Sequence, residues 1–235
     1  MQDFAEAFRL AFHLVWQMDD ELAAIIGLSL RVSLTAVAIS AAVGLPLGAL
    51  LATTRFRGRG GILVLVNALM GLPPVVVGLL VYMMLSNAGP MGFLQLLYTP
   101  TAMIIAQAIL ITPIVTALSR QVLEDLNTEY AEQFASLSVP WPTRIQALIV
   151  DARYGLLTVL LAGFGRAVAE VGAVIIVGGN IAHLTRVMTT AIALETSKGD
   201  LALALALGIV LLAIALSVNA AVMSLRLTAE RTAHA

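Results

Sequence analysis

Apolar residues run along this chain in long blocks, not in the short alternating or amphipathic patches of a domain that folds in water. Residues 32–54, 60–119 and 201–225 carry no Asp, Glu, Lys or Arg. About 20 consecutive apolar residues cross the hydrocarbon of a bilayer, so blocks of this length predict membrane-spanning helices. The pattern predicts an all-α integral membrane fold with about five spans, at 22–53, 62–86, 100–119, 154–181 and 201–225. They make one transmembrane domain over residues 22–225. Ahead of it, residues 1–21 place Phe4, Phe8, Phe12, Val15 and Trp16 at roughly helical spacing. That suits an external or interfacial segment lying on the membrane surface or packing against the domain. The start MQDFAEAFRL is acidic and lacks the positive beginning of a cleaved signal peptide, which predicts that it is retained. Residues 226–235 read as a short polar cytoplasmic tail.

The predicted spans are not uniform. The second contains Gly71, Pro73, Pro74 and Gly78, which interrupt helical hydrogen bonding where the backbone is buried in protein or lines a cavity. The stretch SNAGPMG, 86–92, predicts a turn, and the third span carries Pro113 inside it. Polar residues then return over 120–153, with Arg120, Glu124, Asp125, Glu129, Glu132, Arg144, Asp151 and Arg153. This is too polar for lipid and too long for a simple turn, so it predicts a folded extramembrane loop. Its first part, EDLNTEYAEQFASL, alternates acidic and apolar residues at helical spacing before Pro140 and Pro142. A short amphipathic helix of that kind is either a solvated linker or a docking element for a partner.

Lys and Arg are enriched on cytoplasmic flanks. With the 120–153 loop inside, Arg55, Arg57, Arg59, Arg120, Arg144, Arg153, Arg226 and Arg231 are cytoplasmic, against Arg9, Arg186 and Lys198 outside. This predicts an external N-terminus and a cytoplasmic C-terminus. Arg31 reads as an interfacial residue that snorkels.

Composition closes off other classes. The chain is 60% hydrophobic and 11% charged, against about 25% charged in soluble domains. A net charge of −1 gives no basic surface for nucleic acid, and the absence of cysteine removes disulfides, thiolate metal sites and cysteine nucleophiles. The histidines His13, His183 and His234 are far apart, so no metal site is expected. No GxxxxGK[ST], HExxH or GxSxG is present. The spans hold no nucleophile with a base and no carboxylate pair, which argues against a hydrolase. No catalytic residue and no bound cofactor are expected, and any ATP would be hydrolysed on another subunit.

Two ionisable residues in the fourth span stand out. Arg166 lies about 18 Å along a helix from Tyr154, at ~1.5 Å per residue, and Glu170 follows one turn later on the same face. Charges at that depth are functional candidates, and pairing lowers the desolvation cost of both. They read either as a structural pair or as part of a path for an anion. Gly163, Gly165, Gly172, Gly178 and Gly179 permit close helix approach. Gly178, Gly179 and Asn180 are a candidate outer gate or an ordinary helix end.

Glu132, Gln133, Phe134 and Ser138 resemble the cytoplasmic EAA loop of permease subunits of ATP-binding-cassette (ABC) importers, in which a Glu precedes a Gly by six positions. Here Gln133 and Phe134 stand for two alanines, Ser138 stands for the glycine, and no Leu-Pro follows. The run DARYGLLTVLLAGFGRAVAEVGAVIIVGGNI, 151–181, with HLTRVMTTAIALETSKGD, 183–200, resembles permeases of tungstate-uptake importers, relatives of molybdate and sulfate permeases. The likeness extends loosely over residues 20–225. It implies the type I importer permease architecture in a bacterial or archaeal cytoplasmic membrane, and translocation of an oxyanion, with tungstate ahead of molybdate and sulfate. It also implies a homodimeric pore, an extracytoplasmic oxyanion-binding protein, and ATPase subunits that carry ATP and magnesium. Glu129, Glu132, Gln133, Phe134 and Ser138 would couple to the ATPase, and residues 182–200 would face the binding protein. The alternative from the residues alone is a self-sufficient secondary transporter or channel, although no inverted repeat is evident.

Overall fold

The computed structural model describes the backbone of residues 4–17 and 20–233, and side chains within 8–224 except residues 14 and 17–19. Among the described residues there are helices and no strands. In chain order they are α1 (Phe4–Gln17), α2 (Asp20–Thr53), α3 (Arg59–Met70), α4 (Pro74–Leu85), α5 (Pro100–Glu129), α6 (Ala131–Ser136), α7 (Trp141–Asp151), α8 (Arg153–Val168), α9 (Gly172–Gly178), α10 (Met188–Lys198) and α11 (Leu201–Ala233). Three are long and apolar enough to cross a membrane, in α2, α5 and α11; counting the bent pairs α3 with α4 and α7 with α8 raises the number to five.

The ends of the helices follow local chemistry. Asp20 and Glu21 lie in the first turn of α2, where negative charge complements the helix dipole. Pro74 begins α4 at a position where a missing N–H costs nothing. Pro46 and Pro113 lie inside α2 and α5, which remain single helices.

The structure adds detail to the predicted second span and the 120–153 loop, and corrects two readings, of Gly78 as a helix breaker and of the fourth span as continuous. The predicted second span is two helices, parted at residues 71–73. Gly78 does not break α4 but lets it approach α9: a Cβ there would lie 2.8 Å from Ala173 Cα. The predicted fourth span is also two helices, because α8 ends at Val168 and α9 starts at Gly172. The 120–153 loop is largely helical, with α5 running on to Glu129 before α6 and α7, and α7 meets α8 at 69°. The tail has a helical backbone to Ala233, while its side chains, including Arg226 and Arg231, lie outside the described residues, as do the Phe4 side chain and His234.

Contacts divide the chain into two units, interleaved in sequence. One comprises Met1–Ala36, Pro73–Gln107 and Gly165–Ala220. Its core includes Leu22, Ile25, Met188, Ala191 and Leu207, so α10 packs between the start of α2 and α11. The other comprises Val37–Leu72, Ala108–Phe164 and Ala221–Ala235. Its core includes Ala49, Ala52, Leu123, Leu148, Ala152 and Leu156. Here α2 presents Ser40, Gly44 and Gly48 at four-residue spacing to α5. A Cβ on Gly44 would meet Val115 at 2.9 Å, and one on Gly48 would lie 2.9 Å from the Thr116 carbonyl. Small residues at that spacing let helix backbones approach, which is how membrane helices gain packing where burial from lipid gives little.

Candidate functional site

The second unit holds the polar connection between α5 and α8. Glu124, on the last turns of α5, accepts from Arg59 at 2.7 Å and from Arg120 at 2.5 Å, and Arg59 Nε also donates to the Leu51 carbonyl at 2.8 Å. One carboxylate thereby ties the start of α3 and the end of α2 to α5. One turn on, Asn127 accepts from Arg144 Nε at 2.6 Å, which fastens α7 to α5. The Arg144 guanidinium also stands 5.3 Å over the ring of Phe134, within cation–π range. Phe134 meets Tyr130 edge to face at 5.8 Å, and both pack against the Leu123–Leu148 core. A hydrogen bond to Asp151 raises the Tyr130 pKa above its ordinary value, because ionising the phenol would break it beside a carboxylate.

This anchoring separates the predicted coupling residues into two kinds. Phe134 is half-buried and holds α6 in place, whereas Glu129, Glu132, Gln133 and Ser138 are exposed. Leu137 was missed by sequence reasoning: it is 75% exposed at the end of α6, a large apolar side chain on a polar element. Arg59 and Asn127 were also missed, since their partners are 65 and 17 residues away.

Ser138 has φ of 47°, the left-handed region that favours glycine. It is the position matched above to the glycine of the EAA-type motif, and its backbone adopts a conformation that glycine takes up without strain. An L-residue there costs about 1–2 kcal/mol, and glycine's greater freedom when unfolded returns roughly half of that. Ser138→Gly is therefore expected to raise Tm by about 2 °C in a thermal melt of detergent-purified protein. An unchanged or lowered Tm would show that the turn carries no strain.

The first unit holds the predicted ion pair. Arg166 Nη1 donates to Glu170 Oε2 at 2.5 Å, and the Glu170 side chain is 3% exposed against 33% for Arg166. Glu170 is not on a continuous helix with Arg166 but in the break between α8 and α9. Three side chains satisfy the backbone that the break frees. Glu170 Oε1 accepts from the Ala173 N–H at 2.9 Å, Thr189 Oγ1 donates to the Glu170 carbonyl at 2.8 Å, and Gln107 Nε2 donates to the Ala167 carbonyl at 3.1 Å. The break is thus built by partners from α5 and α10.

The residues 178–180 form the end of α9. Gly179 has φ of 70° and its N–H bonds the Ile175 carbonyl, while Asn180 has φ of 50°. Thr185 Oγ1 donates to the Gly178 carbonyl at 2.5 Å and accepts from the Ile181 N–H at 3.0 Å. A Cβ on Gly178 would lie 3.0 Å from Met103, and one on Gly179 2.9 Å from Tyr98. The turn is tightly packed on both glycines. Just before α10, Arg186 lies 3.6 Å from Glu21, and at its end Lys198 donates to Glu195 at 2.9 Å. No group of three or more metal-ligating side chains occurs among the described residues.

One unit thus carries a polar helical connection, and the other an ion pair at a helix break whose carboxylate, Glu170, is buried. Residues 44–226 match the family described as binding-protein-dependent transport system inner membrane component. The chain belongs to that family. This transport component is a multi-pass inner-membrane protein with the type I importer permease architecture, a permease subunit of an ABC importer and not an enzyme. Dependence on a binding protein sets it apart from self-sufficient carriers and channels. Its relatives include a tungstate uptake system permease protein of Peptoclostridium acidaminophilum, 43% identical over 96% of this chain and 99% of that one. A probable anion ABC transporter permease protein of Haloferax volcanii is 43% identical over 85% of this chain and 88% of its own. A molybdenum transport system permease protein of Azotobacter vinelandii is 30% identical over 74% and 80%.

Proposed function

We propose that the chain is the membrane subunit of a tungstate importer. The observation that carries this reading is the likeness to a tungstate uptake permease, which holds over nearly the whole of both chains and exceeds the likeness to a molybdenum permease by 13 points of identity (43 against 30). In this reading two copies form the pore, with the N-terminus outside, the C-terminus inside and the α5–α8 connection in the cytoplasm, as the arginine distribution favours. ATP and magnesium are held by a separate ATPase, and an external binding protein delivers the anion.

Motion reaches the pore through α6. Glu129, Glu132 and Gln133 project their polar ends and Leu137 its apolar one toward the ATPase, while Phe134, Arg144 and Asn127 pass the displacement to α5 and α7. An apolar side chain with polar residues around it matches the apolar-core, polar-rim anatomy of protein interfaces.

The test is uptake into proteoliposomes holding this chain with its cognate ATPase, the binding protein inside or outside as the orientation requires. Tungstate is expected to accumulate only with ATP and all three components, and excess sulfate should compete less than excess molybdate. Accumulation without the ATPase would overturn the coupled mechanism, and stronger molybdate than tungstate uptake would overturn the substrate.

A further inference from the structure

Beside the break between α8 and α9 the first unit has a small cavity with room for one water-sized molecule, about 10 Å³. Ser29, Ser33, Gln107, Glu170 and Thr189 line it, with the backbone around Ala167. Most of these polar groups are already engaged. Ser29 Oγ donates to the Ile25 carbonyl at 2.7 Å and accepts from the Met188 N–H at 2.8 Å. Thr189 and both Glu170 oxygens are bonded as described above. The Ser33 side chain makes no hydrogen bond among the described residues, and Gln107 is the other exception. Its side chain is 3% exposed, its Nε2 is used on the Ala167 carbonyl, and its Oε1 is buried with no hydrogen-bond partner from the protein.

A buried amide oxygen left unpaired costs more than an ordinary hydrogen bond returns, so such atoms in native proteins are met by ordered solvent. The geometry points to this cavity as the binding site of a single water, which donates to Gln107 Oε1 and takes Ser33 Oγ as a second partner. The guest is neutral on charge grounds: the one carboxylate on the cavity is neutralised by Arg166, and the remaining lining groups are uncharged, so a cation would add a net charge in a low-dielectric wall. The cavity is too small for the transported anion, and the site is independent of which anion the pore carries. Its role is to complete the set of partners that lets α8 stop and α9 restart inside the protein. Backbone freed by a helix break at membrane depth is tolerated where side chains and ordered waters re-satisfy it.

Two measurements on the full-length protein in lipid nanodiscs test this. The first is a map at a resolution that resolves ordered solvent. It should show one density about 2.7–3.2 Å from Gln107 Oε1. An empty cavity would overturn the proposal, and so would a density ringed by several oxygens at about 2.3–2.6 Å, the signature of a metal cation. The second is the Tm of Ser33→Ala, a substitution that deletes a partner of the water without touching the Gln107 bond to Ala167. A bridging water predicts a fall of about 2–4 °C. If the cavity is dry, deleting the hydroxyl leaves Tm unchanged or raises it, and the proposal fails.

Discussion

Leu137→Asp is expected to weaken capture of the cognate ATPase by about thirtyfold or more, with membrane insertion and Tm unchanged. The physical basis is the contrast between Leu137 and its neighbours. It is 75% exposed at the end of an element whose other exposed residues are polar or small (Ala131, Glu132, Gln133, Ala135 and Ser136), while α6 itself is held to the protein by Phe134, Tyr130 and Arg144. Exposing a lone leucine brings the isolated subunit no gain. Burying one in a partner's apolar groove is worth about 2 kcal/mol, and placing a carboxylate in that groove costs more, so a hot-spot loss of about 2 kcal/mol or above is expected. At 1.4 kcal/mol per factor of ten, this is about thirtyfold in affinity. Surface substitutions away from packed features shift stability by about 0.5 kcal/mol or less, so the melt serves as the control. Glu132→Ala, on the rim, should weaken capture by less than about fivefold. Capture by Leu137→Asp at the wild-type level would place the ATPase contact elsewhere than α6. The substitution Phe134→Ala is a different experiment: it should lower Tm as well as capture, because it removes the packing that presents α6.

How far the sequence reveals this arrangement differs from element to element. The uncharged blocks are unambiguous because bilayer thickness sets a length that few soluble helices reach, and α2, α5 and α11 fall where those blocks predict. The parting of α3 and α4 is legible in Gly71, Pro73 and Pro74, since proline removes a donor wherever it stands. Gly78 has the same local chemistry as a breaker yet lies within a regular helix, and only its approach to Ala173 explains it. The break after Val168 has no proline to announce it. It is made by Gln107 and Thr189, 60 and 19 residues away from the carbonyls they satisfy, and no local pattern encodes such partners. The Arg166–Glu170 pairing was legible from four-residue spacing even though the helix it presumed is not continuous. Leu137 escaped notice because periodicity reports faces, and one apolar residue at a helix end makes no face.

Glu170→Ala is expected to be the most damaging single change outside the large apolar core. It removes three things together: the charge that neutralises Arg166, the cap on the Ala173 N–H, and a side chain that is 3% exposed. Breaking a buried ion pair from one side costs about 3–5 kcal/mol, because the surviving charge is left without compensation. Arg166 is 33% exposed and its long side chain can shift its charge toward a more polar level, so the lower part of that range applies. The fall in Tm is then on the order of 10 °C, at about 2–4 °C per kcal/mol for a chain of this size. Glu170→Gln should fall roughly half as far, since its amide oxygen can still accept from Ala173 while the charge is lost. Arg166→Met combined with Glu170→Gln removes both charges and should recover most of the stability of the wild type. An unchanged Tm in Glu170→Ala would show that the pair contributes nothing to the fold. The double variant also separates the two roles the pair could have. If Arg166 serves only to neutralise Glu170, the stable double variant transports tungstate at close to the wild-type rate. If Arg166 contacts the passing anion, the same variant melts normally and does not transport, and Arg166→Lys, which keeps the charge but loses the planar fork, transports weakly.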